Sequence, residues 1–347
     1  MSGQIHDLEA GQHVPIIIPH TAATSPNAIE RDQDLWFEDG NIVVVAQRTA
    51  FRFHRGALSR HSQIFRDLFT VPQPTLSDAV ESIDGCTAIH VSDTPSDFKY
   101  LLCAVYDGMS FWMGEKIKEF SILASWVRMG HKYGVDTLLE GSLRQLETIF
   151  AADFSAWEAI QDESTPLSKI SMRPQDAIEA VNLFRLVGRM HMLLTAFYLC
   201  CRLATKELLQ GYSRADGTPE KLEVEDLQRC LDARVHLVKY DAHVVVRFFL
   251  EEEPENAHCC LWSPRISFLT DELRDTASEF PRILGPNPLS SSWFHRKIGE
   301  LLDRQALCDS CVEVLRMRHV KLREHVWEEL PDIFKLEVPD WPHLHDT

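Results

Sequence analysis

Cys308 and Cys311 form a Cys-x-x-Cys pair, and the trio His258-Cys259-Cys260 stands earlier, in a run punctuated by proline and serine. Thiolate sulfur and imidazole nitrogen are the ligands that a structural zinc takes, four at a time in a tetrahedron. Two such groups would pin the intervening stretch, residues 255–312, to a helix. The same cysteines fit two other chemistries. With Leu301, Val312 and Leu315 they recur at helical spacing, which makes them small buried hydrophobes. A Cys-x-x-Cys can also cycle between dithiol and disulfide, although no strand-helix-strand context surrounds this one. The zinc, buried-core and redox readings stay open at the level of the sequence.

Other patterns that could do chemistry fail on inspection. Ser96-Asp-Phe-Lys99 has the Ser-x-x-Lys spacing, but it opens a predicted helix and lacks companion motifs, so it reads as a helix start and a solvated lysine. The stretch GYSRA at 211–215 departs from the nucleophile-elbow pattern at its last position. No phosphate-binding glycine loop, dinucleotide fingerprint or His-Glu-x-x-His occurs. Of the 16 histidines, His54 ends a strand-like run and reads as a framework residue rather than a base. No enzyme is expected.

Charge narrows the partners. The 347 residues hold 35 Lys+Arg against 52 Asp+Glu, a net −17, which disfavours counterion-releasing contact with nucleic acid and attraction to an anionic membrane. The basic run RMRHVKLR at 316–323 is the solvated face of an ordinary helix. The start of the chain lacks the basic region of a signal peptide, and MLLTAFYLCC at 192–201 falls far short of the ~20 residues that span a bilayer. Nine cysteines, an odd count, several of them in apolar helical runs, suit reduced thiols. The expectation is an intracellular protein of cytoplasm or nucleus.

The elements that would position any site divide the chain. Residues 1–33 are expected to be a flexible lead-in, with VPIII at 14–18 as a short apolar run. NIVVVAQ and TAFRFH alternate as a hairpin about Gln47-Arg48. Leu58, His61, Phe65, Leu68 and Phe69 then recur at helical spacing. TAIHVSD is a third strand, followed by a helix after Thr94-Pro95, and two further helices run over FSILASWVRMGHKYGV and DTLLEGSLRQLETIF. Strands first and paired helices after make an α+β domain over 34–150. Beyond it, 151–347 is mostly helical, with VVVRFF at 244–249 readable as strand or helix. The stretch SPRISFLTDELRDTASEFPRILGPNPLSSS is expected to be rich in loops.

The hairpin strand that ends Phe51, Phe53, His54, the basic Arg55, and the Leu58, Ser62 and Phe65 that follow resemble the signature of the BTB/POZ fold. So do the strand ending at Asp93, the helix ending Tyr106-Asp107-Gly108, and the helix ending His131 to Val135. The resemblance implies a small sheet capped by paired helices, followed here by a mostly α-helical C-terminal domain. In this frame Phe51 and Phe53 are buried, and Ser62 caps the helix that it opens. Many BTB domains place an Asp at the start of the first strand, which forms a charged pocket at the dimer interface with the basic residue after the motif His. Here Asn41 stands at that position and Asp39 two earlier, so either Arg55 is exposed or Asp39 reaches it.

The wording LSRHSQIFRDLFTVPQP, the pair Cys200-Cys201 and the ending VWEELPDIFKLEVPDW are similar to BTB proteins of mushroom-forming fungi that carry a helical C-terminal region. What the resemblance implies is a protein-interaction module that self-associates through the BTB domain or binds a partner. One such role is that of substrate adaptor on a cullin-type ubiquitin ligase. The alternative is a transcription-associated or architectural oligomerisation protein, although neither a two-Cys-two-His finger nor a basic helix is visible. No cofactor is implied beyond the zinc reading.

Overall fold

The β-branched run Ile42–Ala46 is buried along its whole length and forms the second strand of a five-stranded sheet. Strands buried on both faces read as continuous apolar runs. The computed structural model describes residues 29–70, 82–108, 118–161, 170–250, 266–339 and 341. Five strands make the main sheet: β1 (Glu30–Trp36), β2 (Ile42–Ala46), β3 (Thr49–Phe53), β4 (Ser82–Ile83) and β5 (Cys86–Val91), in the order β1-β3-β2-β5-β4. β2 and β3 are antiparallel, with Val44 opposite Phe51, and the hairpin turns at Gln47, whose φ is 53°. β1 joins β3 in parallel, and β5 joins β2 in parallel.

On one face of the sheet Val44, Phe51 and Phe53 pack against helices. On the other, Val43, Val45 and Ala50 make a smaller cluster with Cys86. The helices of this first unit are α1 (Arg55–His61), α2 (Gln63–Thr70), α3 (Pro95–Asp107), α4 (Phe120–Tyr133) and α5 (Asp136–Leu146). Thr94 caps α3, its hydroxyl accepting the Asp97 N–H at 3.1 Å, with Pro95 at the first helical position. α4 and α5 pack so closely at Gly130 that a Cβ there would stand 2.9 Å from the Leu139 nitrogen.

Among the described residues beyond 150 the chain is mostly helical, with short strand pieces at Ile170–Ser171, Tyr212–Ser213 and Pro219–Glu220: α6 (Phe154–Gln161), α7 (Asp176–Val187), α8 (Met190–Cys201), α9 (Thr205–Gln210), α10 (Val224–Leu250), α11 (Ile266–Ala277), α12 (Phe280–Ile283), α13 (Ser292–Asp303), α14 (Asp309–Glu328) and α15 (Leu330–Phe334). α8 is buried nearly all round, as its mostly apolar sequence requires. α4 packs on α7, and one hydrophobic core runs from the sheet through both to Trp327 and Trp341.

Several expectations need correcting. Residues 30–33, placed in the flexible lead-in, are the first part of β1. Their polarity hid an edge strand whose exposed Glu30, Arg31 and Asp34 face solvent, the charged edge that resists pairing with other chains. The supposedly loop-rich 263–292 contains α11 and α12, and the buried Glu272 of α11 is held by Lys297 and Arg304. Residues 244–249 continue α10 as helix. The helical stripe joining Leu301 to Cys308 is broken, because α13 ends at Asp303 and Gln305 takes a φ of 50°. VPIII and His258-Cys259-Cys260 lie outside the described residues.

Candidate interaction site

The motif residues separate into two groups. Phe51, Phe53, Leu58 and Phe65 are fully buried, and Ser62 is 1% exposed. These build the frame. The Ser62 hydroxyl accepts the Phe65 N–H at 3.0 Å and donates to the Tyr133 carbonyl at 2.5 Å, so it caps α2 and ties it to the end of α4. Asp93 accepts from Lys132 at 2.6 Å and from the Tyr133 hydroxyl. Burial and this carboxylate push the Tyr133 phenol well above its ordinary value.

Asn41, His54 and Arg55 form the surface group. The His54 backbone N–H donates to the Tyr106 oxygen at 2.9 Å, and its Nδ1 lies 3.0 Å from the same atom. Asp39 reaches Nε2 of His54 at 3.2 Å. Arg55 is exposed, so no buried cation arises there. Asn41 plays a role that the sequence did not disclose: its side-chain oxygen accepts the Arg55 N–H at 2.9 Å, supplying α1 with a cap from a different strand. Lys99 of the Ser-x-x-Lys pattern binds Asp32 and Asp34 and so fastens β1 to α3.

A groove of about 390 Å³ lies between α1, α3 and α5. Ala104, Val105, Val135 and Leu138 make its apolar lining, and the exposed Arg60 and His61 stand at it. Ile64 of α2, 46% exposed, lies near Gly134, the residue before the groove's Val135.

The sequence also concealed the seam between the first unit and the helical region. Arg128 of α4 donates to both oxygens of Asp97, at 3.1 and 2.6 Å, and to Glu179 of α7. Glu179, 3% exposed, also accepts from the Tyr212 hydroxyl at 2.9 Å and faces Arg214 at 3.5 Å. Burial would lower the Arg128 pKa, but the two carboxylates outweigh it and hold the guanidinium above its ordinary value. No motif marks these residues. They meet across 51 positions of chain.

Cys308 and Cys311 bring their sulfurs to 3.6 Å, Cys311 buried and Cys308 at the N-terminal cap of α14. The other three residues of the zinc reading lie outside the described residues, and among those described no group of three His, Cys, Asp or Glu stands together as a metal site. Cys200, Cys201 and Cys230 form a second buried cluster, with the Cys201 thiol donating to the Cys230 carbonyl at 3.4 Å. Among the described residues no helix is long and apolar enough to cross a membrane.

No curated protein matches the chain, and no solved structure does. Residues 37–140 match the family model of the BTB/POZ domain. The range takes in the hairpin, the Ser62 cap and the paired helices α4 and α5. BTB/POZ domains are in general interaction modules rather than enzymes. The chain therefore carries a BTB/POZ domain, a module for binding protein, followed by a mostly helical C-terminal region.

Proposed function

We propose that the chain is a non-enzymatic adaptor. Its BTB/POZ domain docks a protein scaffold of the cullin type or a second copy of itself, and its helical region holds the recruited target. The fungal resemblance belongs to the same reading. The observation that carries it is the seam at Arg128, Asp97 and Glu179, together with the core that continues through it. An adaptor must hold two bound proteins at a fixed geometry, and two units sharing a buried ion network and a core do so without a hinge.

The groove between α1, α3 and α5 is the docking place in this reading. Affinity purification of the tagged full chain, beside a variant carrying Ile64→Asp and Arg60→Glu, tests it. A cullin and its ring-type partner should be retained by the native chain and lost by the variant, with circular dichroism showing the variant folded. A preparation without cullin, under conditions where a known adaptor retains one, sinks the ligase role. Copies of the chain alone, with a dimer mass by light scattering, would turn the reading to oligomerisation.

A further inference from the structure

Away from the BTB/POZ domain, a cavity of about 740 Å³ opens among α6, the end of α8, the Asn287–Ser292 segment, α13 and α14. Its volume suits a drug-sized ligand. His319 and Arg323 of α14 line it, each 2% exposed. Arg202, Arg316 and His295 also line it, and Glu158 is the one acid among the lining residues. Three arginines, two histidines and three successive serine hydroxyls thus converge in a chain whose net charge is −17.

The protein satisfies some of these groups, with Ser290 and Ser292 bonded to each other at 2.7 Å and Arg316 facing Glu313 at 3.4 Å, but not all of them. Arg323 uses one terminal nitrogen on Glu158, at 2.5 Å, and on the Leu289 carbonyl, at 3.2 Å, while its other terminal nitrogen has no partner among the described residues. His319 lies flat against Phe294, with ring centroids 4.3 Å apart, and neither of its nitrogens has a hydrogen-bond partner among the described residues. Burial holds its ring well below the ordinary histidine range, so it offers one donor and one acceptor. Arg202 is exposed and has no carboxylate partner among the described residues. At the start of α13 Ser291 makes no side-chain cap, and the first turn contains no acid. The Ser290 hydroxyl accepts the Ser292 N–H at 3.3 Å, but no acid in the first turn balances the positive end of that helix.

The second terminal nitrogen of Arg323, the Ser291 hydroxyl and a helix start without an acidic residue are all donors that lack an acceptor among the described residues. One group with several anionic oxygens satisfies them together. We propose that this cavity binds a small phosphorylated molecule, its phosphate between Arg323 and the Ser291 end of α13. Glu158 occupies Arg323 in the empty site and opposes the ligand.

The test is isothermal titration of the full chain with inorganic phosphate and with pyrophosphate, against sodium chloride at equal ionic strength. Both phosphates should bind where chloride does not, with pyrophosphate the tighter. Arg202→Gln should weaken pyrophosphate binding about tenfold, the loss of one charge-assisted contact. Glu158→Gln should strengthen binding of both phosphates, a gain that no misfolded variant would show. Heats no different from chloride would overturn the proposal, as would affinities unchanged in both variants.

Discussion

Ser62 answers for two backbone groups at once, the Phe65 N–H and the Tyr133 carbonyl. Ser62→Ala should therefore cost about 2 kcal/mol, roughly half for the lost cap and half for a buried carbonyl left without a donor. Ser59→Ala, which removes only a hydroxyl bond to the Arg55 carbonyl in the same helix, should stay within about 0.5 kcal/mol. Urea denaturation of both variants checks the contrast. The cap was legible because Ser62 and Phe65 stand three apart in the sequence. The Asn41 cap on Arg55 was not, because its partner comes from the far side of a hairpin.

Asp241 is a second such case, a carboxylate whose burial pushes its pKa up to about 6 against the pull of the Gly285 N–H. A carboxyl raised in the fold is most favourable when protonated. Its contribution is fully present below about pH 4 and is lost as pH rises through about 6. Asp241→Asn should thus gain up to about 2 kcal/mol over the native chain at pH 7.5, and little or nothing at pH 4. Thermal melts at both values decide it, and equal differences at the two pH values would remove Asp241 as the cause.

Glycines show how the helices are held. Gly130 lets α4 meet α5, where a Cβ would press on the Leu139 backbone at 2.9 to 3.0 Å. Backbone cannot swing aside as a side chain can, so Gly130→Ala should destabilise by about 1 to 3 kcal/mol. Gly56 in α1 has nothing within 4 Å of a Cβ, and Gly56→Ala should instead stabilise by about 0.5 to 1 kcal/mol through the helix preference alone. Measured by chemical denaturation, the two signs must differ.

Periodicity made some elements legible and hid others. The valine run of β2, the alternation of β3 and the stripe of α4 each announce themselves, because burial demands apolar residues at fixed intervals. β1 escaped because an edge strand with few buried side chains needs no such pattern. α11 escaped because prolines and serines punctuate the stretch on both sides of it, and the ion pair of its Glu272 with Lys297 of α13 leaves no mark in periodicity. The break before Cys308 was invisible because both sides of it keep helical composition.

Across the whole molecule, the family motifs located the first unit but not its union with the rest. That union rests on Arg128, whose partners lie on α3 and α7, and spacing along the chain gives no sign of such a meeting. It predicts how the protein unfolds. Two domains joined by a linker melt separately, whereas units that share a core and a buried ion network melt together. Calorimetry of the full chain should give one endotherm, with matching van't Hoff and calorimetric enthalpies. Arg128→Ala leaves the buried Asp97 and Glu179 without their shared cation, a loss of about 3 kcal/mol. Because Glu179 keeps Arg214 and Tyr212, the variant should remain folded. The entire endotherm should then move to lower temperature while staying single. Two resolved transitions in the native chain, or a shift confined to one part of the endotherm, would mean that the BTB/POZ domain and the helical region fold as separate bodies. The rigid-adaptor reading would lose its basis with that result.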